Sequence, residues 1–99
     1  MQRRFTTLTE VQQLILLDLH KRDYEMVTEL ITSLHLGGNT FYYHKQGLVE
    51  SDLIMEEGVR KGKARETRIA LTERGRRVSE LLEEVSSLID AIQITSLAQ

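Results

Sequence analysis

The period of the apolar pattern changes twice along this chain, and that limits the folds open to it. Up to Glu50 apolar residues recur every three or four positions. From Leu53 to Leu71 they fall into two short runs around a polar, glycine-containing stretch. From Val78 onward helical spacing returns. The order implied is helix, helix, helix, strand, basic loop, strand, helix: mainly α, with a small β-hairpin and a long C-terminal helix. A chain of 99 residues fits one domain, 1–99, and is long enough to bury a core without disulfides.

Thr7 and Glu10 have capping-box spacing at the start of the first helix. Leu8, Val11, Leu14, Ile15, Leu17 and Leu19 then give a dense apolar stripe that suits a central helix. Lys21 and Arg22 close it, where cations favour the helix dipole. Asp23-Tyr24-Glu25 reads as a short connection. The second helix runs roughly from Met26 to Leu34, with Val27, Leu30, Ile31 and Leu34 on one face. Leu36-Gly37-Gly38 reads as a turn, its paired glycines free to reach positive φ. Asn39 then caps a third helix from about Thr40 to Glu50. Phe41 and Leu48 face inward there with either His44 or Lys45, while Tyr42, Tyr43 and Gln46 face out. Gly47 is a blemish that costs about 1 kcal/mol relative to alanine.

Leu53-Ile54-Met55 reads as a strand, Glu56 to Ala64 as a polar loop, and Glu66 to Leu71 as a second strand with Thr67, Ile69 and Leu71 on one face. Thr72 caps the last helix, Glu73 to about Ile94. In it Val78, Leu81, Val85, Leu88 and Ile92 keep a seam spacing that Leu82 and Ile89 widen. A seam this long predicts a partner helix, hence a homodimer. The alternative is that the helix folds back on the first helix of its own domain. Residues Thr95 to Gln99 are expected to fray.

Charge is unevenly distributed. The net charge is −2, yet residues 58–77 carry eight bases against Glu66 and Glu73, net +6, between stretches of net −5 (25–57) and −4 (78–99). A basic island between acidic neighbours is the footprint of a polyanion site, or else a solvated hairpin. Without cysteine there is neither a disulfide framework nor a thiolate metal site. No apolar run approaches the roughly 20 residues that cross a bilayer, and polar TTLTE follows MQRRF, so no membrane segment or signal peptide is expected and a cytoplasmic protein is. His20, His35 and His44 lack zinc-site spacing, and Gly37-Gly38 lacks the strand and lysine of a phosphate loop. No enzyme, cofactor or metal is therefore predicted.

Asn39 to Ile54, NTFYYHKQGLVESDLI, resembles the recognition helix and first wing strand of MarR-, PadR- and ArsR-type winged-helix regulators, through Asn39, Thr40, Phe41, Leu48, Glu50, Leu53 and Ile54. Ala70 to Val85, ALTERGRRVSELLEEV, resembles their wing exit, through Leu71, Thr72, Glu73, Arg74 and Gly75. The short format is similar to small archaeal and archaeal-virus members. Two positions depart: Lys45 stands where the family places a buried leucine, and Asp52 where it places a turn glycine. Aspartate tolerates the left-handed region, so the turn survives.

The resemblance implies a winged helix-turn-helix that binds double-stranded DNA as a dimeric transcriptional regulator. The third helix would enter the major groove with Asn39 at its N-terminus and Thr40, Tyr42, Tyr43 and Gln46 toward the bases. Without an arginine there, the commonest guanine contact is missing and a weak or A·T-leaning preference follows. Arg60, Lys61, Lys63, Arg65 and Arg68 would take phosphates or the minor groove. Arg74, Arg76 and Arg77 either serve DNA or pair with Glu73, Glu80 or the acidic residues of 50–57. The rival class is a winged helix that binds proteins and no DNA.

Overall fold

A computed structural model describes residues 7–97, with the side chains of Lys61 and of 91–97 outside that description. Its elements run α1 (Glu10–Arg22), β1 (Tyr24–Met26), α2 (Val27–Ser33), α3 (Gly38–Glu50), β2 (Ile54–Lys61), β3 (Ala64–Leu71) and α4 (Glu73–Leu97). The strands form an antiparallel sheet in the order β1-β3-β2. This is the expected winged helix-turn-helix, with a strand added where a connection was expected.

α1 is the axis of the core. Ile15, Leu16 and Leu19 are fully buried on it, against Val27 and Leu30 of α2, Phe41 and Leu48 of α3, Leu53 just before β2, and Ile54, Ile69 and Leu71 of the sheet. Its cap is not the expected Thr7–Glu10 pair but Thr9–Gln12. The Thr9 hydroxyl accepts from the Gln12 N–H (3.1 Å) and the Thr9 N–H donates to Gln12 Oε1 (2.9 Å). Both pairs have the spacing. The second prevails because it is also anchored to α3: Gln12 Nε2 donates to the His44 carbonyl (3.0 Å), and Thr9 Oγ1 lies 3.0 Å from His44 Nδ1. The Gly47 blemish has its reason here, since a Cβ at that position would meet Gln12 Nε2 at 2.5 Å.

The turn between α2 and α3 differs from expectation as well. The left-handed residue is His35 (φ 54°), and the Leu36 N–H closes back onto the Ile31 carbonyl (3.1 Å). Gly37 is extended and serves as the N-cap of α3, so Asn39 lies inside the helix and does not cap it. Asp52, at φ 59°, holds the expected left-handed turn before β2.

The hairpin is the largest departure. The stretch from Glu56 to Ala64 is not a loop: β2 and β3 pair without a break from Ile54↔Leu71 to Lys61↔Ala64, and only Gly62 and Lys63 turn, Gly62 at φ 64°. At its base the hairpin is closed twice. The Thr72 N–H donates to the Leu53 carbonyl (3.1 Å), and the Thr72 hydroxyl to the Asp52 carbonyl (2.6 Å). Thr72 caps α4 as expected, accepting from the Gly75 N–H (3.0 Å). α4 reaches Leu97, three residues past the expected Ile94, so part of the tail expected to fray is helical.

Candidate nucleic-acid interface

α3 presents a mixed face. Phe41, Lys45 and Leu48 turn inward, which answers the question of the inward third residue in favour of Lys45. A buried ammonium requires a partner. Lys45 Nζ donates to Glu56 Oε2 on β2 at 2.7 Å and lies 4.9 Å from the Tyr42 ring centroid. The pair joins the helix to the base of the wing. Outward, Asn39, Thr40 and Gln46 are exposed, Tyr42 is 52% exposed and Tyr43 78%. Tyr42, Tyr43 and Gln46 line an open groove with Thr7, Thr9 and Gln12 at the start of α1. Gln46 Nε2 donates to Glu50 Oε1 (3.3 Å), so its amide is already oriented along the helix. No lysine or arginine lies on this outward face, because Lys45, the helix's lone residue of that kind, is engaged inward.

The cations are on the wing, and the register sorts them. Side chains alternate faces along a strand. Ile54 and Glu56 of β2, with Ile69 and Leu71 of β3, face the core and α3. Two residues at a time toward the tip, the same face carries Gly58 opposite Thr67 and then Arg60 opposite Arg65. Among the described residues neither arginine has an acidic partner. Like charges directly opposite each other on paired strands are destabilising. Lys63 is exposed in the turn; Lys61 pairs through its backbone with Ala64, and its side chain lies outside the described residues.

Arg68 falls on the other face. It is ion-paired with Glu57 and lies 4.9 Å over the Tyr24 ring, with the neighbouring carboxylate raising its pKa further. The structure therefore brings Arg60 and Arg65 together and leaves Arg68 apart. Of the α4 arginines, Arg76 reaches Asp23 (3.8 Å) and Arg77 reaches Glu80 (3.4 Å). Arg74 is exposed without an ion pair among the described residues.

The seam of α4 divides. Val78 and Leu82 pack on the core of their own chain. Leu81, Val85, Leu88 (63% exposed) and Ile89 are exposed, as is Leu14 of α1. The side chain of Ile92 lies outside the described residues. Buried Ser79 ties α4 to α1, donating to the Arg76 carbonyl (2.8 Å) and lying 3.1 Å from His20 Nδ1. His20 and His44 thus each bridge α1 to another helix. The partners Thr9–His44, Lys45–Glu56 and His20–Ser79 escape sequence reading, since nothing local marks contacts between residues so far apart. Among the described residues no histidine, aspartate and glutamate group could hold a metal ion, and no helix is long and apolar enough to cross a membrane.

No protein-family model matches the chain, and no curated protein matches it in sequence. Solved structures do. The adhesin competence repressor AdcR from Streptococcus pyogenes superposes with a TM-score of 0.81 at 18% identity, over 98% of this chain and 69% of that one. A MarR-family transcriptional regulator from Silicibacter pomeroyi gives 0.75 at 19% identity, over 89% and 61%. A transcriptional regulator homologue from Pyrococcus horikoshii gives 0.71 at 18%, over 83% and 82%. At these identities the likeness shows the winged-helix fold.

Proposed function

We propose that this chain is a non-enzymatic, MarR-like transcriptional regulator that binds double-stranded DNA as a homodimer inside the cell. The observation that carries the reading is the Arg60–Arg65 pair. Two arginines stand opposite each other in the strand register, on the face of the hairpin that also carries Glu56 and Ile69, with no acidic partner among the described residues. The arrangement is unfavourable alone and is relieved by an anion, as a phosphate backbone running between the wing and α3 would do. Arg60, Lys61, Lys63 and Arg65 take phosphates in this reading. Asn39, Thr40, Tyr42, Tyr43 and Gln46 face the major groove, and Arg68 adds charge from the far face without contact. The folds of the repressor and regulators above support it.

The test is titration of a pool of random duplexes at two salt concentrations. Binding should weaken steeply with salt, by about 0.9 in log–log slope for each phosphate neutralised. Sequences recovered from the pool should lean toward A·T, because α3 offers a glutamine amide and tyrosine rings but no guanidinium. A G-rich consensus would overturn the preference, and no binding at low salt would favour the protein-binding rival.

The dimer is proposed through the exposed face of α4, with Leu81, Val85, Leu88 and Ile89 at its centre and Val78 and Leu82 at its margins. A two-fold pair would place two α3 helices about one DNA turn apart on a pseudo-palindrome. Sedimentation of the wild type should show a dimer, and Leu88→Glu a folded monomer. A wild type that remains monomeric at high concentration would remove the dimer.

A further inference from the structure

The core contains charge that the interface does not use. Glu25, the middle residue of β1, is 2% exposed, and neither of its carboxylate oxygens has a hydrogen-bond partner; the neighbouring carboxyl is that of half-buried Asp18 on α1, whose Oδ2 atom is buried and equally unpartnered. Three buried acceptors without donors are costly, and two adjacent carboxylates cannot both ionise there. One hydrogen atom placed between them removes the like-charge conflict and joins two of the three oxygens, since a protonated carboxyl can donate to its neighbour. A metal ion would need more ligands than two carboxylates supply, and no third candidate ligand stands with them among the described residues.

We propose that Asp18 and Glu25 share a single proton in the folded protein, and that this proton latches β1, the edge strand beside β3, onto α1. Glu25 lies opposite Ile69 of β3, so the latch acts at the base of the wing. The charged groups facing it are Asp18 and Arg22 from α1 and Glu29 from α2; β3 offers only the apolar Ile69. Arg22 is exposed and forms no ion pair with Glu25. Burial first, then the adjacent Asp18 carboxyl, push Glu25 up from 4.5 to about 8; Arg22 opposes this and Glu29 adds to it. The folded chain therefore keeps a proton that the unfolded chain releases. Stability from the latch is full below 4.5 and is lost as pH rises to about 8.

The experiment compares urea midpoints of the wild type and Glu25→Gln from about pH 5 to about pH 9. Glutamine keeps the shape and supplies a permanent donor to Asp18. The wild-type midpoint should fall across this range relative to that of Glu25→Gln, with the variant the more stable at the alkaline end. A constant difference between the two would overturn the proposal. Two measurements on the wild type keep it testable even if the variant does not fold. Infrared spectra should contain a protonated-carboxyl C=O band at neutral pH that disappears on alkaline titration; a spectrum without it at neutral pH overturns the shared proton. Amide exchange of Tyr24–Met26, corrected for its intrinsic pH dependence, should lose protection at alkaline pH before the core of α1 does. Simultaneous loss would overturn the local latch.

Discussion

Gly75→Ala is expected to destabilise this protein strongly. Gly75 is buried in the first turn of α4, and a Cβ there would lie 1.8 Å from the Leu53 carbonyl oxygen and 2.8 Å from its carbon. Both are backbone atoms, so no side chain can swing aside. The same oxygen accepts the Thr72 N–H, so backing away from the new methyl also breaks that bond. Overpacking typically costs about 1–3 kcal/mol, and losing a buried hydrogen bond roughly 1 kcal/mol more. Against a total stability of about 5–15 kcal/mol this is a large fraction, and a melting temperature lower by about 10–25 °C follows. Alanine would otherwise favour a helix over glycine by about 1 kcal/mol, so the sign of the effect is itself diagnostic. Arg74→Ala, one position earlier and exposed, should leave the melting temperature within a few degrees of wild type. Calorimetry on both variants is the check, and a Gly75→Ala protein as stable as wild type would contradict the close approach.

The second large effect separates binding from folding. Arg60→Gln with Arg65→Gln should weaken binding to all duplexes alike, by roughly 10²- to 10⁴-fold, if each guanidinium contributes the roughly 1.5–3 kcal/mol of a charge-assisted bond. The salt slope should fall by about 2. Meanwhile the protein should become more stable, by about 0.2–1 kcal/mol, because the opposed charges are gone. Reduced binding with raised stability is the signature of a surface built for a ligand. Arg68→Gln should do the reverse: it breaks the contacts with Glu57 and Tyr24 on the far face while leaving the slope nearly unchanged. Equal slopes for wild type and the double variant would remove the wing from the interface.

α1 and α3 were legible because each buries a stripe at helical spacing, and α4 because its apolar residues keep that spacing although Leu81, Val85, Leu88 and Ile89 are exposed; the motif ending in Gly75 was legible through its family resemblance, and the structure sets a backbone against that glycine. The long hairpin was not, for a physical reason. Beyond Ile69 and Glu56 it leaves the core, so neither face needs to be apolar and alternation disappears from Gly58 to Thr67. β1 was missed because its buried residue is Glu25, the opposite of what a core position signals. Lys45 stayed ambiguous until Glu56, on another element, was seen to neutralise it. The cations of the wing were found by composition, but composition cannot assign faces. That Arg68 turns away from Arg60 and Arg65 follows from the register, which the Gly62–Lys63 turn sets.

The double closure at the base of the hairpin has a bearing on how this chain can vary. Thr72 stitches to Asp52 and Leu53, so the segment between them is a loop whose ends are held shut by backbone and hydroxyl bonds independent of its tip. Lengthening such a loop is thermodynamically mild, about 0.6 kcal/mol for each doubling. Residues inserted in pairs at Gly62 and Lys63 would extend the ladder without changing which side of the ribbon Arg60 and Arg65 occupy. A single inserted residue would have to be absorbed as a bulge or a wider turn. The tip is therefore where insertions and deletions between relatives should accumulate, while the spacing from Asp52 to Leu53 and from Thr72 to Gly75 should stay fixed.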